Sequence, residues 1–208
     1  MIAILSDIHS NLQALTTTLE LLASEKITEI YCTGDLVEYP DEANEVIDLI
    51  RRDKIKCVMG NNDEAYCERS VDPYGETPMD PISWDNFEFL DQLPMFLSGD
   101  EFYLVHGLPP ASFLKYIDSQ SIQSIFKAFS TFSQPLAFVG HTHQFKIYEL
   151  NESGEIQLHD FDHHEFHLNP LSRYIINAGT LGQARRVNHE PGYLLYDLEN
   201  RRIIRKLI

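Results

Sequence analysis

The chain has 208 residues, of which 43% are hydrophobic and 23% charged, a composition typical of an ordinary globular protein. Aromatic residues make up 11%, which argues against disorder, and no stretch approaches the ~18 consecutive apolar residues of a membrane span. The formal net charge of −16 should repel nucleic-acid backbones and anionic lipids, and it disfavours phosphate compounds unless a local positive centre reverses the field.

The first half of the chain alternates short apolar runs with helical patterns. Leucines recur at three- and four-residue spacing from Leu12 to Leu22, which predicts a helix capped by Ser10 or Asn11. A second helix is predicted around 46–50, whose apolar side chains share one face. Strand–helix–strand units of this length imply a parallel sheet. The predicted strands of this half are residues 2–5, 30–33 and 55–59.

The second half is predicted to turn from α/β into antiparallel β. The pattern weakens over 64–100, where one helix is predicted at 82–93. The other predicted elements are hairpins over 96–105 and 145–161, a helix over 120–129 and strands at 136–139, 173–176, 193–196 and 203–208. The fold class is therefore α/β, with two packed sheets and helices outside. We expect one domain over 1–208, in which 64–100 is an insertion that shapes specificity.

The cysteines indicate the compartment. Cys32, Cys57 and Cys67 are odd in number and lack C-x-x-C spacing, which argues against a disulfide framework. The first residues have no basic segment, and their apolar run is too short for a signal peptide. We therefore expect a reducing, cytoplasmic location.

Metal-ligand side chains follow five of the predicted strands directly. In open α/β sheets ligands bind at the carboxyl ends of the strands. Asp7 and His9 are two residues apart, as are His141 and His143, so an extended chain would aim both members of each pair into one site. Glycines that let the backbone turn sharply lie beside the site at Gly34, Gly60, Gly107 and Gly140. The seven candidate ligands are Asp7, His9, Asp35, Asn61, His106, His141 and His143.

The types of these ligands indicate which metals they would bind. Carboxylate and imidazole groups without a thiolate suit Mn, Fe, Zn or Ni, with Mg as an alternative, better than Ca or a structural zinc site. Seven ligands are too many for one tetrahedral ion, but they fit two ions that share a bridging carboxylate, ~3.5–4 Å apart. The sequence therefore predicts a cofactor of two divalent metal ions.

The candidate ligands lie in five short sequence blocks. The blocks are Asp7-x-His9, Gly34-Asp35-x-x-Glu38, Gly60-Asn61-Asn62-Asp63, His106-Gly107 and Gly140-His141-x-His143. This set resembles the calcineurin-like metallophosphoesterase superfamily, in particular its small bacterial and archaeal phosphoesterases. The segment Asn177-Ala178-Gly179-Thr180 resembles a further loop of that family. One such block alone would be weak evidence, whereas five blocks in the order of the family are specific.

The resemblance implies a four-layer α/β/β/α sandwich with the metals at the strand ends. It implies that Asp7, His9 and His143 hold the first metal, that Asn61, His106 and His141 hold the second, and that Asp35 bridges both. It further implies an enzyme that hydrolyses a small phosphomonoester, phosphodiester or nucleotide by attack of a metal-bridging hydroxide. The local charge of two such ions would offset the global acidity at the site.

Asn62 departs from the family pattern, because many members carry a histidine there that stabilises the transition state or protonates the leaving group. An amide donates a hydrogen bond but supplies no titratable proton near neutral pH. Asp63 and Glu38 do not obviously replace the histidine. Asn62 remains the candidate catalytic and substrate-binding residue at this position. We hypothesise a preference for leaving groups that need no protonation, such as aryl oxides, phosphates or nucleotides.

Other residues are weaker candidates for substrate contact. Thr180 and Arg185 follow the family-like loop, and the planar guanidinium of Arg185 suits a phosphate, although a surface arginine fits the pattern equally well. In the histidine-rich segment 159–167, His163 or His164 could supply the missing acid, but a strand with one solvated face is the favoured interpretation. The basic residues at 201–206 are predicted to protect an edge strand.

Two other functions remain open from the sequence. A non-catalytic scaffold with this fold would serve protein–protein interaction, and a regulatory sensor would bind a single metal ion. The complete set of ligand residues favours an enzyme over a scaffold. One bound ion per chain would instead indicate the sensor.

Overall fold

The computed structural model of the protein describes residues 1–38, 41–70, 82–161, 164–182 and 190–208. Within these residues the helices are α1 Leu12–Ser24, α2 Ala43–Arg52, α3 Asn61–Ser70, α4 Trp84–Asp91 and α5 Ile122–Phe129, with a 3-10 helix at Ile117–Ser119. The strands are β1 Ile2–Leu5, β2 Ile30–Cys32, β3 Lys56–Cys57, β4 Phe96–Ser98, β5 Phe102–Val105, β6 Leu136–Val139, β7 Phe145–Leu150, β8 Ile156–Asp160, β9 Glu165–His167, β10 Arg173–Ala178, β11 Gly192–Asp197 and β12 Arg202–Leu207. None of these helices is both long and apolar enough to span a membrane.

The strands form two mixed sheets of six strands each. Sheet 1 has the order β3-β2-β1-β11-β12-β9, and sheet 2 has the order β4-β5-β6-β10-β7-β8. Strands β1, β2 and β3 run parallel, as do β5, β6 and β10, and the other pairs are antiparallel. The predicted α/β class and both predicted hairpins are therefore confirmed.

Three hydrophobic cores separate four layers. The core between the sheets contains Phe138 and Leu194. Helices α1 and α2 cover the other face of sheet 1 through Leu15 and Ile47, and α5 covers sheet 2 through Phe129. The layers thus follow the α/β/β/α order that the family resemblance implied.

Strand β1 shows why its sequence is continuously apolar rather than alternating. Ile2 and Ile4 point into the core between the sheets, whereas Ala3 and Leu5 point into the core under the helices. A strand buried on both faces needs apolar side chains at every position. The helices around it also follow prediction, since Asn11 caps α1 by accepting a 3.0 Å hydrogen bond from the backbone N–H of residue 14.

Helix α3 is an element that the sequence pattern misses. Its sequence is mostly polar, and Tyr66 and Cys67 are its buried apolar side chains, so no amphipathic stripe is visible. Asp63 fixes the first turn by accepting a 3.0 Å hydrogen bond from the backbone N–H of Gly60. The rest of segment 64–100, where the sequence pattern is weak, contains α4 and β4. Residues 71–81 lie outside the described residues.

Strand β9 overturns two predictions about the last third of the chain. The histidine-rich segment 159–167 is not one strand, because β8 ends at Asp160 in sheet 2 and β9 begins at Glu165 in sheet 1. Strand β12 is not at an edge either, since β9 pairs with it and Glu165 Oε2 lies 3.0 Å from Arg202 Nη1. The interpretation of its charges as edge protection is therefore wrong. A three-residue strand is too short for periodicity to reveal.

The carboxyl ends of β1, β2, β5 and β6 meet at one edge of the sandwich. Within sheet 1, the backbone N–H of Asp7 donates to the carbonyl of Gly34 at 3.0 Å, and within sheet 2 that of Gly140 donates to His106 at 2.8 Å. Hydrogen bonds also join the loops of the two sheets here, such as the bond from the backbone N–H of His141 to Asp7 Oδ2 at 3.0 Å. The loops after these four strands therefore lie side by side.

Candidate metal centre

The first group of ligand-type side chains at this edge is Asp7, His9 and His143. His143 Nε2 lies 3.1 Å from Asp7 Oδ1 and 2.9 Å from His9 Nε2, and His9 Nε2 lies 3.6 Å from Asp7 Oδ1. All three side chains are buried. The loop after β1 in sheet 1 supplies two of them and the loop after β6 in sheet 2 supplies the third, so both sheets build this group.

The second group is Asp35, His106 and His141, with Asn61 beside it. His106 Nε2 lies 3.4 Å from Asp35 Oδ2, 3.1 Å from His141 Nδ1 and 3.1 Å from Asn61 Oδ1. The two groups meet at Asp35, whose Oδ2 is also 3.9 Å from His9 Nε2. All seven predicted ligands are thus brought together, and Asp35 lies between the groups, where the resemblance placed a bridging residue.

The spacing of these atoms fits metal ions. Two ligands about 2.1 Å from one ion and at right angles to each other are about 3.0 Å apart, close to the 2.9 and 3.1 Å between the paired ring nitrogens. A single proton can satisfy each nitrogen–nitrogen contact, but the buried Asp7 Oδ1 then still has no hydrogen bond of standard geometry among the described residues. Buried nitrogen and carboxylate atoms that converge in this way are a donor set for divalent transition metals.

The backbone achieves this convergence in a way that the sequence argument does not foresee. Asp7, His9, Asp35, His141 and His143 all have positive φ values, between 50 and 70°. The prediction that an extended chain aims the paired side chains is therefore wrong. Left-handed residues other than glycine cost of order 1 kcal/mol or more and accumulate at functional sites, where the surrounding structure holds them.

Two of the predicted turn glycines, Gly60 and Gly140, do not make left-handed turns but leave space for the carboxylates of the centre. Of the four predicted turn glycines, only Gly34 has a positive φ, at 100°. A Cβ atom on Gly60 would lie 2.1 Å from Asp35 Oδ1, and one on Gly140 would lie 2.6 Å from Asp7 Oδ2. Any side chain at these two positions would displace a central carboxylate.

Neighbouring groups orient the imidazole rings. His106 Nδ1 lies 2.8 Å from the carbonyl oxygen of Thr33, which places the proton on Nδ1 and leaves Nε2 to face the centre. His9 Nδ1 lies 3.2 Å from Glu38 Oε2, an ion-pair contact when the ring is protonated but not a hydrogen bond of standard geometry. The sequence analysis quoted Glu38 without giving it this role, and nothing in the sequence marks the carbonyl of Thr33.

The charges of the two groups stabilise one another. Burial alone would raise the pKa of Asp7, but hydrogen bonds and charges from His143, His9 and His106 outweigh it and hold that pKa well below its usual range. The pKa of Asp35 is likewise lowered, against the effect of burial, chiefly by His106. Burial opposes the protonated form of His106, yet the carboxylates of Asp35 and Asp7 raise its pKa to about 9. Without metal, the raised pKa of His106 therefore favours a positively charged ring at the place where divalent ions would supply positive charge.

Comparison with known proteins assigns the family. The model of the calcineurin-like phosphoesterase superfamily domain matches residues 1–201. The chain belongs to this superfamily. An uncharacterised protein from Methanocaldococcus jannaschii is 30% identical over 210 residues, which cover 95% of this chain and 82% of that protein.

Solved structures of other proteins agree with this assignment. A metallophosphoesterase from Sphaerobacter thermophilus superposes with a TM-score of 0.79 at 27% identity, covering 100% of this chain and 87% of that one. A hypothetical protein from Pyrococcus horikoshii has the same fold, with a TM-score of 0.71 at 17% identity over 100% and 87% of the two chains.

Asn62 lies where many calcineurin-like phosphoesterases carry a histidine. Its backbone N–H donates to Asp35 Oδ1 at 2.8 Å, and its side-chain Nδ2 donates to Asp35 Oδ2 at 2.7 Å. Asp63, one residue further, is fully buried, and its Oδ1 accepts hydrogen bonds from the backbone of Leu36 and Val37. Asp63 therefore anchors the loop after β2 and does not face the centre.

Thr180, a predicted substrate contact, lies behind the loop after β1 in this structure. Thr180 is fully buried, and its hydroxyl donates to the carbonyl of Asp7 at 2.9 Å, so it supports the loop after β1 from behind. Asn177 has a similar role for the loop after β6, because its Nδ2 donates to the carbonyl of Gly140 at 2.7 Å. The family-like segment 177–180 thus holds the two ligand loops.

The remaining candidates are not at the centre or cannot be placed. The two metal-type groups found among the described residues include neither His159 nor His164. His159 contacts Glu149, and the carbonyl of His164 accepts a hydrogen bond from the backbone of Arg205. Arg185 and His163 lie outside the described residues. In contrast, Tyr116, which the sequence analysis did not single out, lies against His141.

Proposed function

We propose that this protein is a dinuclear metal-dependent phosphoesterase that hydrolyses a small phosphomonoester, phosphodiester or nucleotide. Asp7, His9 and His143 would hold one ion, and the group around His106 would hold the other. The observation that carries the proposal is the position of Asp35 Oδ2, 3.4 Å from a ring nitrogen of one group and 3.9 Å from a ring nitrogen of the other. One shared carboxylate between two complete groups is the arrangement that two-metal phosphoryl transfer requires.

When bound, two divalent ions supply positive charge for the phosphoryl oxygens and lower the pKa of a water molecule. The residues of the chain prepare the site for this chemistry. The carbonyl of Thr33 orients the His106 ring, and the carboxylate of Glu38 lies beside the His9 ring. The left-handed backbone holds Asp7 and Asp35 at the strand ends before any substrate arrives. Such preorganisation means that little rearrangement is needed during the reaction.

The donor set also limits the choice of metal. Imidazole and carboxylate ligands without a thiolate suit Mn, Fe, Zn or Ni, with Mg as an alternative. The three cysteines are buried and unpaired by disulfides, which supports the proposed cytoplasmic location in a reducing environment. The role of residues 64–100 in specificity stays a prediction.

Asn62 supports a preference among leaving groups. Its amide donates to Asp35 Oδ2, and an amide holds no proton that it could transfer to a departing alkoxide. We therefore expect aryl, phosphate and nucleotide leaving groups to be hydrolysed faster than simple alkyl groups. This preference would distinguish the protein from relatives with a histidine at the same position.

The proposal is tested by metal-dependent turnover. Protein stripped of metal is loaded with Mn, Ni, Zn or Mg and assayed with p-nitrophenyl phosphate and bis-p-nitrophenyl phosphate, and the bound metal is measured by elemental analysis. We expect two ions per chain and turnover that His143→Ala abolishes and His159→Ala leaves unchanged. Loaded protein without turnover on any phosphate ester would contradict the proposal and favour a scaffold, and one ion per chain would favour a sensor.

A further inference from the structure

Tyr116 lies flat against one of the candidate ligands. The ring centroids of Tyr116 and His141 are 3.7 Å apart and their planes differ by 18°. Tyr116 is 37% exposed, so the stacked pair reaches from the buried centre to the surface. No other candidate ligand is covered by a tyrosine, phenylalanine or tryptophan ring among the contacts of the described residues.

The chain on both sides of Tyr116 is fixed. The backbone N–H of Leu108, just after β5, donates to the carbonyl of Lys115 at 3.1 Å. On the other side, Ile117 is buried in the core between sheet 2 and α5. Tyr116 is therefore held between two anchored neighbours, and its ring has a defined position over the imidazole.

The stacking contact suits a metal ligand because of its geometry. An imidazole binds a metal through a nitrogen lone pair in the plane of the ring, so a partner on the face of the ring leaves that direction open. His141 Nδ1 points to the centre, 3.1 Å from His106 Nε2. A flat neighbour restricts rotation of the ring and keeps this nitrogen directed at the second group.

The contact also differs in kind from those of other ligands. A carbonyl oxygen orients His106 and a carboxylate lies beside His9, and both are polar contacts inside the fold. At His141 an aromatic ring, from a partly exposed residue between β5 and α5, lies against the face of the imidazole. The ring of Tyr116 thus adds an aromatic support to the second ligand group.

We propose that Tyr116 is a positioning residue that fixes the ring plane of His141 and thereby sets the affinity of the second ligand group for its ion. This inference rests on the proposed function in one respect, since it takes His141 as a metal ligand. It predicts that a substitution at position 116 changes the affinity for one ion and not the affinity for the other. The difference is expected because Tyr116 stacks on His141, which belongs to the second group.

The test is calorimetric titration of Mn²⁺ into metal-free wild-type, Tyr116→Phe and Tyr116→Ala proteins. We expect Tyr116→Ala to lower the affinity for one of the two ions by about 10- to 100-fold, the usual effect of losing a group that orients a ligand. The affinity for the other ion should stay unchanged. Tyr116→Phe keeps the ring and should bind both ions within about twofold of wild type. In the electron paramagnetic resonance spectrum, the signal of the coupled manganese pair should disappear selectively in Tyr116→Ala.

Phe96→Ala is the matched control. Phe96 is an exposed aromatic residue that stacks on Tyr103 with ring centroids 5.2 Å apart, in sheet 2 and outside both ligand groups. Phe96→Ala removes a comparable stacking contact, but one away from the ligands. We therefore expect it to leave the affinities for both ions unchanged. The inference would be overturned if Tyr116→Ala left both affinities unaltered, or if it lowered the affinities for both ions equally.

A second measurement separates this inference from the proposed function. In the metal-free proteins, the ring resonances of His141 in the NMR spectrum report its position without any metal or activity. We expect one ordered ring in wild type and Tyr116→Phe and an averaged ring in Tyr116→Ala. An unchanged His141 ring in Tyr116→Ala would overturn the inference even if the wild type is an active enzyme. Failure of the wild type to bind two ions would contradict only the proposed function.

Discussion

Among the described residues, histidines contact carboxylates in two regions, one at the edge where loops of both sheets meet and one inside sheet 2. In sheet 2, Glu149 accepts a hydrogen bond from His159 Nε2 at 2.7 Å and another from the hydroxyl of Tyr174 at 3.1 Å. Each of its carboxylate oxygens thus has a donor, and the cluster is complete. Between the sheets, ring nitrogens face ring nitrogens and Asp7 Oδ1 lacks a standard hydrogen bond among the described residues. The convergence of ring nitrogens with a carboxylate oxygen that lacks a standard hydrogen bond therefore distinguishes the centre from the cluster in sheet 2.

The two clusters also differ in how they depend on the fold. Glu149, His159 and Tyr174 lie on adjacent strands of one sheet, β7, β8 and β10. The ligand groups combine loops from both sheets, so they exist only when the two sheets are packed. An ion bound between the sheets would connect them, whereas the cluster in sheet 2 needs no ion.

The largest expected difference between the clusters is in catalysis. Asp35→Ala removes the carboxylate that both groups share, and we expect kcat/KM to fall about 10³-fold or more, because charge stabilisation of the transition state is lost. Glu149→Gln should change kcat/KM by less than about twofold. Assays of metal-loaded protein with an aryl phosphodiester measure both. Comparable losses in the two variants would break the distinction between a functional and a structural cluster.

Removal of the metal should reveal the same distinction in stability. A ligand that binds only the folded state at 100 times its Kd stabilises that state by about 2.7 kcal/mol per site. We therefore expect a chelator to lower the free energy of unfolding by several kcal/mol in wild type and to have little effect on Asp35→Ala. Urea unfolding with and without Mn²⁺ measures this. An identical response of the two proteins would show that the ions do not bind at Asp35.

The sequence predicts the framework well, because buried strands leave plain apolar runs. It also identifies candidate ligands that the structure brings together, because they follow those strands directly. It could not predict how Asp7 and His143 are aimed, since their left-handed backbone is imposed by the packing of neighbouring loops. Tyr116 gave no signal, because its contact with His141 joins segments 25 residues apart that no local pattern relates. Strand β9 was missed for the same reason, as its pairing with β12 is tertiary.

Asn62 allows a finer test of the centre. Replacing it by histidine, Asn62→His, supplies a titratable proton beside Asp35, so turnover of an alkyl ester should rise about 10- to 100-fold relative to that of a matched aryl ester. The ratio of the two kcat values measures the effect and cancels changes in metal loading. Equal aryl and alkyl rates in wild type, with chemistry shown to limit both, would contradict the predicted preference.

The smallest predicted effect belongs to the cluster in sheet 2. Burial favours a higher pKa for Glu149, but hydrogen bonds from its neighbours, among them His159 and Tyr174, outweigh it and lower that pKa. A carboxylate with a lowered pKa contributes stability above its unfolded pKa of about 4.3 and loses it as the pH falls through the folded pKa. Glu149→Gln should therefore lower the free energy of unfolding by about 1 kcal/mol at pH 7, and this difference should narrow below about pH 4. Urea unfolding of both proteins across this range, with the exposed Glu155→Gln as control, measures it. A difference that is independent of pH would mean that the contribution of Glu149 to stability comes from packing and not from its ionised carboxylate. The cluster in sheet 2 and the metal centre would then differ only in catalysis and metal binding.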